Sequence, residues 1–269
     1  MSNYLIIILD LDNTIIGNCC YQADLYNLQK IQKKYKIKII NDINVSYNKN
    51  CNLIRPYFKY FYENIKKLYE NVYIYIYTAS EKNWANIEVK MIEKNLDIEF
   101  DKPIFTREDC IIDKKKDYKK VINKIITKIK KNIKDNDIND IKNNLLIIDN
   151  NDTFIDYKTN FLLCKSYDFI HYIDIWKNIN NDYYKNSELT NYIIKLINNN
   201  KIHKYININD KNLENIYRWK YKKYKKINKN NKEFIKDTFW KDLTDIIIDN
   251  KFKKFNKDTI YYLQKKLNN

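Results

Sequence analysis

The first apolar run of the chain, "NYLIIIL" (residues 3–9), has no polar interruption. A strand apolar on both sides belongs inside a parallel sheet covered on both faces. Three later runs share this character: "NVYIYIYTAS" from residue 71, "NNLLIIDNND" from 143 and the short "NFLLC" from 160. Between them the apolar period lengthens to that of a helix. "RPYFKYFYENIKKLY" (55–69) puts Phe58, Phe61, Tyr62, Ile65 and Leu68 on one face, with Pro56 suited to a first helical turn. Trp84 to Asn95 and "YKKVINKIITKIKK" (118–131) also read as helices. So do residues 22–35, and "IKII" (37–40) reads as a short strand. "LDIEFDKPIFTREDCII" (96–112) lacks a helical period and suits short strands and turns.

Beyond the strands, "SELTNYIIKLINN" (187–199) predicts a helix with Ser187 as N-cap and Leu189, Tyr192, Ile193, Leu196 and Ile197 on one face. A polar linker follows, then helical patterns over 211–226, 232–248 and 257–267, the middle one striped by Ile235, Phe239, Leu243 and Ile246. Strands alternating with helices predict an α/β fold: an open, mostly parallel sheet flanked by helices, with a helical C-terminal extension. The expected division is 1–198 for the α/β domain and 199–269 for the extension.

Composition narrows the classes. Apolar residues make up 44% of the 269, enough for a core, and no run reaches the roughly 18 residues that cross a bilayer. The start has no basic region and too short an apolar run for a signal peptide, so the expectation is an intracellular protein of cytoplasm or nucleus, not secreted and without a membrane partner. The five cysteines are odd in number and contain no C-x-x-C pair, which speaks against a disulfide framework or a zinc site. No cysteine begins a C-x5-R loop, and two histidines cannot build a histidine-rich metal site. Net charge is +16, yet Lys, Asn, Ile and Tyr all have AT-rich codons and the chain holds one glycine. Such bias fits an AT-rich genome, as in some large DNA viruses and protists, whose proteins then act in an infected host cell. Location is more informative than the total: residues 201–269 carry net +11 and residues 1–200 net +5.

In open parallel sheets, ligands sit beyond the carboxyl ends of the strands. The predicted ends carry Asp10 and Asp12, Thr78, and Asp149 and Asn150, so three separate segments deliver oxygens to one edge. Two carboxylates two residues apart repel each other unless a cation lies near. Mg²⁺ suits a site of few carboxylates and a phosphate. An EF-hand reading fails, because Ile15 stands where that loop needs Gly and Tyr21 where it needs Glu.

"ILDLDNT" matches the hhhhDxDxT signature of the haloacid dehalogenase superfamily, "YIYTAS" resembles its second motif and "LLIIDNND" its fourth. More narrowly, "RPYFKYFYENI", "YTASEKNWA", "IFTREDC" and "IIDNND" resemble, in order, motifs of the NLI-interacting-factor-like Ser/Thr phosphatases that act on the C-terminal domain of RNA polymerase II. The resemblance covers about residues 4–198. It implies Asp10 as nucleophile and Asp12 as acid and base, with Mg²⁺ held by Asp10, Asp12, Asn150 and Asp149. Thr14 would brace the loop at the substrate, Thr78 would bond a phosphoryl oxygen, and a lysine would neutralise it. "KDY" points to Lys116 for that lysine, with Lys114 and Lys115 as alternatives. Arg107 either helps hold an acidic substrate or pairs with Glu108. Tyr57 departs from the pattern, standing where these phosphatases have Gly after "RP". The implied substrate is a phosphoprotein, with the polymerase tail as the favoured case. Alternatives are a small-molecule or nucleotide phosphatase on the same core, or a nucleic-acid-binding protein on this scaffold. "YRWKYKKYKK" (217–226) suits either single-stranded nucleic acid, an acidic partner, or an amphipathic helix whose tyrosines pack inward.

Overall fold

In the computed structural model, the residues described are 4–23, 25–26, 52–133, 138–172, 222, 224–226, 228–229 and 231–268. The expected "IKII" strand, the Ser187-capped helix, the linker and most of the helices at 22–35 and 211–226 lie outside them.

The uninterrupted apolar run forms β1 (Tyr4–Leu9), with all six residues buried. Its position explains that burial: β1 is the centre of a five-stranded sheet of order β3-β2-β1-β6-β7. Here β2 is Asn71–Tyr77, β3 Asp101–Phe105, β6 Leu145–Asp149 and β7 Phe161–Leu163, and every pairing is parallel. Leu9 pairs with Ile76 on one side and Ile148 on the other, so β1, β2 and β6 end at the same level. One face of the sheet packs Ile6, Ile8, Tyr75 and Ile147 against Ile122, Ile125 and Ile129 of α3 (Ile122–Asn132). The remaining helices are α1 (Phe58–Leu68), α2 (Lys82–Leu96), α4 (Phe239–Asn250) and α5 (Lys257–Leu267).

As expected, the stretch at 96–112 holds short strands and a turn, and one of the strands, β3, adds a fifth parallel member at the sheet edge. Two local expectations change. The helix expected from residue 118 starts at Ile122, because Tyr118–Lys119 forms β5 and pairs antiparallel with β4 (Ile111–Ile112). The Asp156 carboxylate accepts the Ile122 and Asn123 amides at 2.8 and 2.9 Å and caps the new start. In the tail, a 3₁₀ turn at Phe234–Lys236 precedes α4, so Ile235 and Phe239 do not share one helix. The buried face is Trp240, Leu243, Thr244 and Ile247, and Ile235 is half exposed.

The chain divides into two compact units, and the division does not follow residue 198. One unit contains residues 1–18, 47–169 and 232–269; the other contains 19–46 and 170–231. Within the first, Trp240 is fully buried 4.7 Å from the Phe61 ring and 5.0 Å from Phe58. Gln264 of α5 pairs its side-chain amide with the main chain of Leu163 at 3.0 Å in both directions, covering the free edge of β7. Within the second, Tyr21 lies 5.0 Å from Tyr172 and 5.6 Å from Tyr224.

Candidate active site

Asp10 follows β1 directly, and its amide is fixed by the Ile148 carbonyl at 2.9 Å. The next six residues form a tight loop in which Asn13 takes a left-handed φ of 59° and the Ile15 and Ile16 amides turn back to the Leu11 carbonyl. The chain's single glycine is required here. A Cβ on Gly17 would run into the Phe169 carbonyl oxygen, so only glycine allows this backbone approach.

This loop and the end of β6 build a buried charge cluster. Lys120 Nζ donates to Asp10 Oδ1 at 2.5 Å and to Asp149 Oδ2 at 2.7 Å, and all three residues are buried. Burial alone would lower the lysine pKa. The carboxylates of Asp10 and Asp149 more than reverse this and hold it well above the ordinary lysine value. Asp10 moves the other way, from 3.8 to about 7, through burial first and then the nearby Asp149 and Asp12, despite Lys120. One cation among three carboxylates leaves negative charge in excess. Phe154 and Tyr77 rings lie 5.3 and 5.9 Å from Nζ and complete the lysine's sheath.

Thr14 joins the two strand ends. Its hydroxyl lies 3.2 Å from both Asp10 Oδ2 and Asn150 Oδ1, and it accepts the Asn150 amide at 3.1 Å. The remaining oxygen of Asp149 accepts the Asn151 amide at 2.7 Å. Asp12, half exposed, is held from β2: Ser80 Oγ donates to Asp12 Oδ2 at 2.6 Å and Thr78 Oγ1 to the same oxygen at 3.4 Å.

The structure therefore gathers Asp10, Asp12, Thr14, Thr78, Asp149 and Asn150 around one edge, and it corrects the lysine. Lys116 is exposed at the tip of the β4–β5 hairpin, with φ 66° and its amide on the Asp113 carbonyl. Lys114 and Lys115 are exposed in the same turn. The chain must come back along β5 before a side chain can enter the site. Main-chain bonds between Lys120 and both Thr153 and Ile155 fix that entry. The alternation of Tyr118 and Lys120 just before the first apolar position of α3 was the available signal. Arg107 does not reach Asp10 or Asp12 by any hydrogen bond. Its donors go to the Ala79 carbonyl at 2.8 Å and Glu81 at 3.1 Å, and it covers the Tyr118 ring at 4.8 Å. Its ion-pair partner is Glu81, and Glu108 pairs with Lys82.

Two further residues shape the site. Ser80, through its bond to Asp12, is one. Arg55 is the other: fully buried, it makes two 2.8 Å bonds to the Asp237 carboxylate and reaches the Thr14 carbonyl at 3.4 Å. A charge in the tail thus braces the Asp10 loop.

Among the described residues no three His, Cys, Asp or Glu side chains form a metal cage. The donors fit Mg²⁺ nonetheless. They are oxygens, they carry excess negative charge, and Mg²⁺ commonly takes one or two carboxylates and fills its sphere with water and substrate phosphate. No described helix is long and apolar enough to cross a membrane.

A parallel sheet of this order is a doubly wound α/β fold, and its acids beyond β1 and β6 stand where the haloacid dehalogenase resemblance expects them. The model of the NLI interacting factor-like phosphatase family matches residues 5–196, and the chain belongs to that family. No curated relative matches the chain. Among solved structures it is similar to the fission yeast RNA polymerase II CTD phosphatase Fcp1 bound to beryllium fluoride. That match has 17% identity and a TM-score of 0.37, and covers 85% of this chain and 66% of that one, just under two thirds. A structure of Fcp1 described as an essential RNA polymerase II CTD phosphatase matches at 16% identity and a TM-score of 0.37, covering 96% of this chain and 69% of that one.

Proposed function

We propose that the protein is a Mg²⁺-dependent phosphatase that hydrolyses phosphoserine or phosphothreonine in a protein through an aspartyl-phosphate on Asp10, with the C-terminal tail of RNA polymerase II as the substrate to test first. The observation that carries the reading is the position of Asp10, buried at the strand end with one oxygen on Lys120 and the other on Thr14.

A carboxylate and a phosphoryl group are both anions, so attack requires preplaced positive charge, the largest contribution in many such sites. Lys120 supplies it and holds Asp10 in one orientation. An Asp10 oxygen attacks phosphorus while Asp12 gives its proton to the departing serine or threonine oxygen. In the second half, Asp12, now ionised, takes a proton from water, which attacks the phosphorus and releases phosphate and Asp10. Thr78 lies beside Asp12 to bond a phosphoryl oxygen. Asp10, the main-chain carbonyl of Asp12 and Asn150 would hold Mg²⁺, with Asp149 beside it. Bound Mg²⁺ would act as a Lewis acid on the phosphoryl oxygens.

The test is hydrolysis of 4-nitrophenyl phosphate, nucleotides and a phosphopeptide panel, with Mg²⁺ or EDTA, by wild type and Asp10→Asn. Phosphopeptide turnover lost in EDTA and in Asp10→Asn is expected. Activity indifferent to both changes would reject the mechanism, and turnover of nucleotides alone would reject the protein substrate.

A further inference from the structure

The amino edge of the sheet, at the opposite end of the strands from Asp10, has a surface the phosphatase chemistry does not use. A cavity of about 400 Å³ opens where β1, β2 and β6 begin, beside Tyr4, Glu70 and Asn144. That volume lies within the roughly 300–1,000 Å³ of ordinary ligand pockets. Its wall is aromatic. Tyr69 contacts Phe255 at 6.0 Å, Phe255 contacts Phe252 at 6.2 Å, and Phe252 contacts Tyr262 of α5 at 5.8 Å. The rings therefore run without a break from the cavity onto the helix. On the helix, Tyr261 is 71% exposed, an unusual position for so large a ring.

Charge follows the same path. Lys251 and Lys253 line the cavity, Lys254 follows them, and Lys257, Lys265 and Lys266 lie on α5. All six are exposed, and among the described residues none has a carboxylate partner. Glu70 in the cavity, Asp258 on the helix and Asp249 two residues before Lys251 oppose them. Lys257, Tyr261 and Lys265 are four residues apart, so the exposed ring has a lysine one turn away on each side.

We propose that this surface binds single-stranded nucleic acid, with a base in the aromatic cavity, another on Tyr261, and the backbone phosphates on the lysines. Ring stacking and cationic contacts in alternation suit an unpaired strand, whose bases offer free faces. A duplex keeps its bases stacked and would leave the cavity unused. An acidic protein would be satisfied by the lysines alone. The cavity lies some 20 Å from Asp10, given six-residue strands at roughly 3.3 Å per residue, whereas α5 climbs the edge of β7 until Gln264 meets Leu163 at the level of Asp149.

The experiment is fluorescence anisotropy of the full chain with a labelled mixed-sequence 12-nucleotide RNA, with the corresponding duplex and polyglutamate as competitors. Tyr261→Ala is expected to weaken binding about tenfold, as loss of one stacked base does. Lys257→Gln with Lys265→Gln should flatten the plot of log affinity against log salt by about 1.4, at roughly 0.7 per phosphate. Both variants should keep wild-type turnover of 4-nitrophenyl phosphate, which separates this site from the catalytic one. Binding unchanged by either variant would overturn the proposal. So would equal competition by polyglutamate or by the duplex.

Discussion

Ser80 sets the direction of Asp12, and removing its hydroxyl should reveal what Asp12 does. In Ser80→Ala the 2.6 Å bond to Asp12 Oδ2 disappears, and the second donor, Thr78, lies at 3.4 Å, too far to replace it. The Ser80 amide still holds Thr78 Oγ1 at 3.1 Å, so the turn after β2 should keep its shape. Hydrogen bonds to an ionised group contribute about 1.5–3 kcal/mol, and the lower figure applies because Asp12 and Ser80 are half exposed. About 1.4 kcal/mol is tenfold in rate. That loss should fall on substrates that need a proton on the leaving oxygen. A phosphoserine peptide, whose alkoxide is a strong base, should lose roughly tenfold in kcat/KM. 4-Nitrophenyl phosphate, whose phenolate leaves unprotonated, should lose less than about threefold. Ser80→Thr keeps the donor and should recover most of the peptide activity. Equal losses on both substrates would mean that Ser80 only supports the fold, and the reasoning would be refuted.

Three further outcomes follow from the same geometry. Lys120→Met leaves Asp10 and Asp149 buried without their cation, so it should cost about 3–5 kcal/mol in urea unfolding at neutral pH and abolish turnover. Tyr57, where the family pattern has Gly, sits at φ 61° and is 48% exposed, so Tyr57→Gly should stabilise by about 0.5–1 kcal/mol, read from the denaturant midpoint. Asp10, with its folded pKa raised to about 7, keeps a proton that the unfolded chain loses near 3.8. Metal-free wild type should therefore lose stability relative to Asp10→Asn as pH rises through that window, by at most about 1.4 kcal/mol per pH unit, and Mg²⁺ should oppose the loss. Parallel stability–pH curves for the two proteins in EDTA would contradict this.

Backbone choices elsewhere reflect the composition. With a single glycine in the chain, the left-handed positions fall to Asn13, Asn52, Tyr57, Asp97, Lys116, Tyr157 and Lys251 among the described residues. Asn and Asp tolerate that region, whereas Tyr and Lys incur a steric cost there. Gly17 alone is retained where no side chain fits.

Taken alone, the sequence determined the strands, most of their order as elements and the carboxylates at their ends. Each is a local pattern: a buried parallel strand must be apolar on both faces, so "LIIIL" and "LLII" can hardly be anything else, and the polar residue that follows must lie at the carboxyl edge. The edge strand β3 was harder to see, because Asp101, Lys102 and Pro103 break any apolar run at a half-solvated edge. The lysine required the tertiary structure. Lys116 and Lys120 are four residues apart in a lysine-rich stretch, and only the path of the β4–β5 hairpin decides which one turns inward. The role of the tail also came from packing: Trp240 fills a space between Phe58 and Phe61, and Asp237 neutralises the buried Arg55, contacts across more than 170 residues that no periodicity records. Local patterns report which face of an element is buried; which elements meet there depends on the whole chain's route.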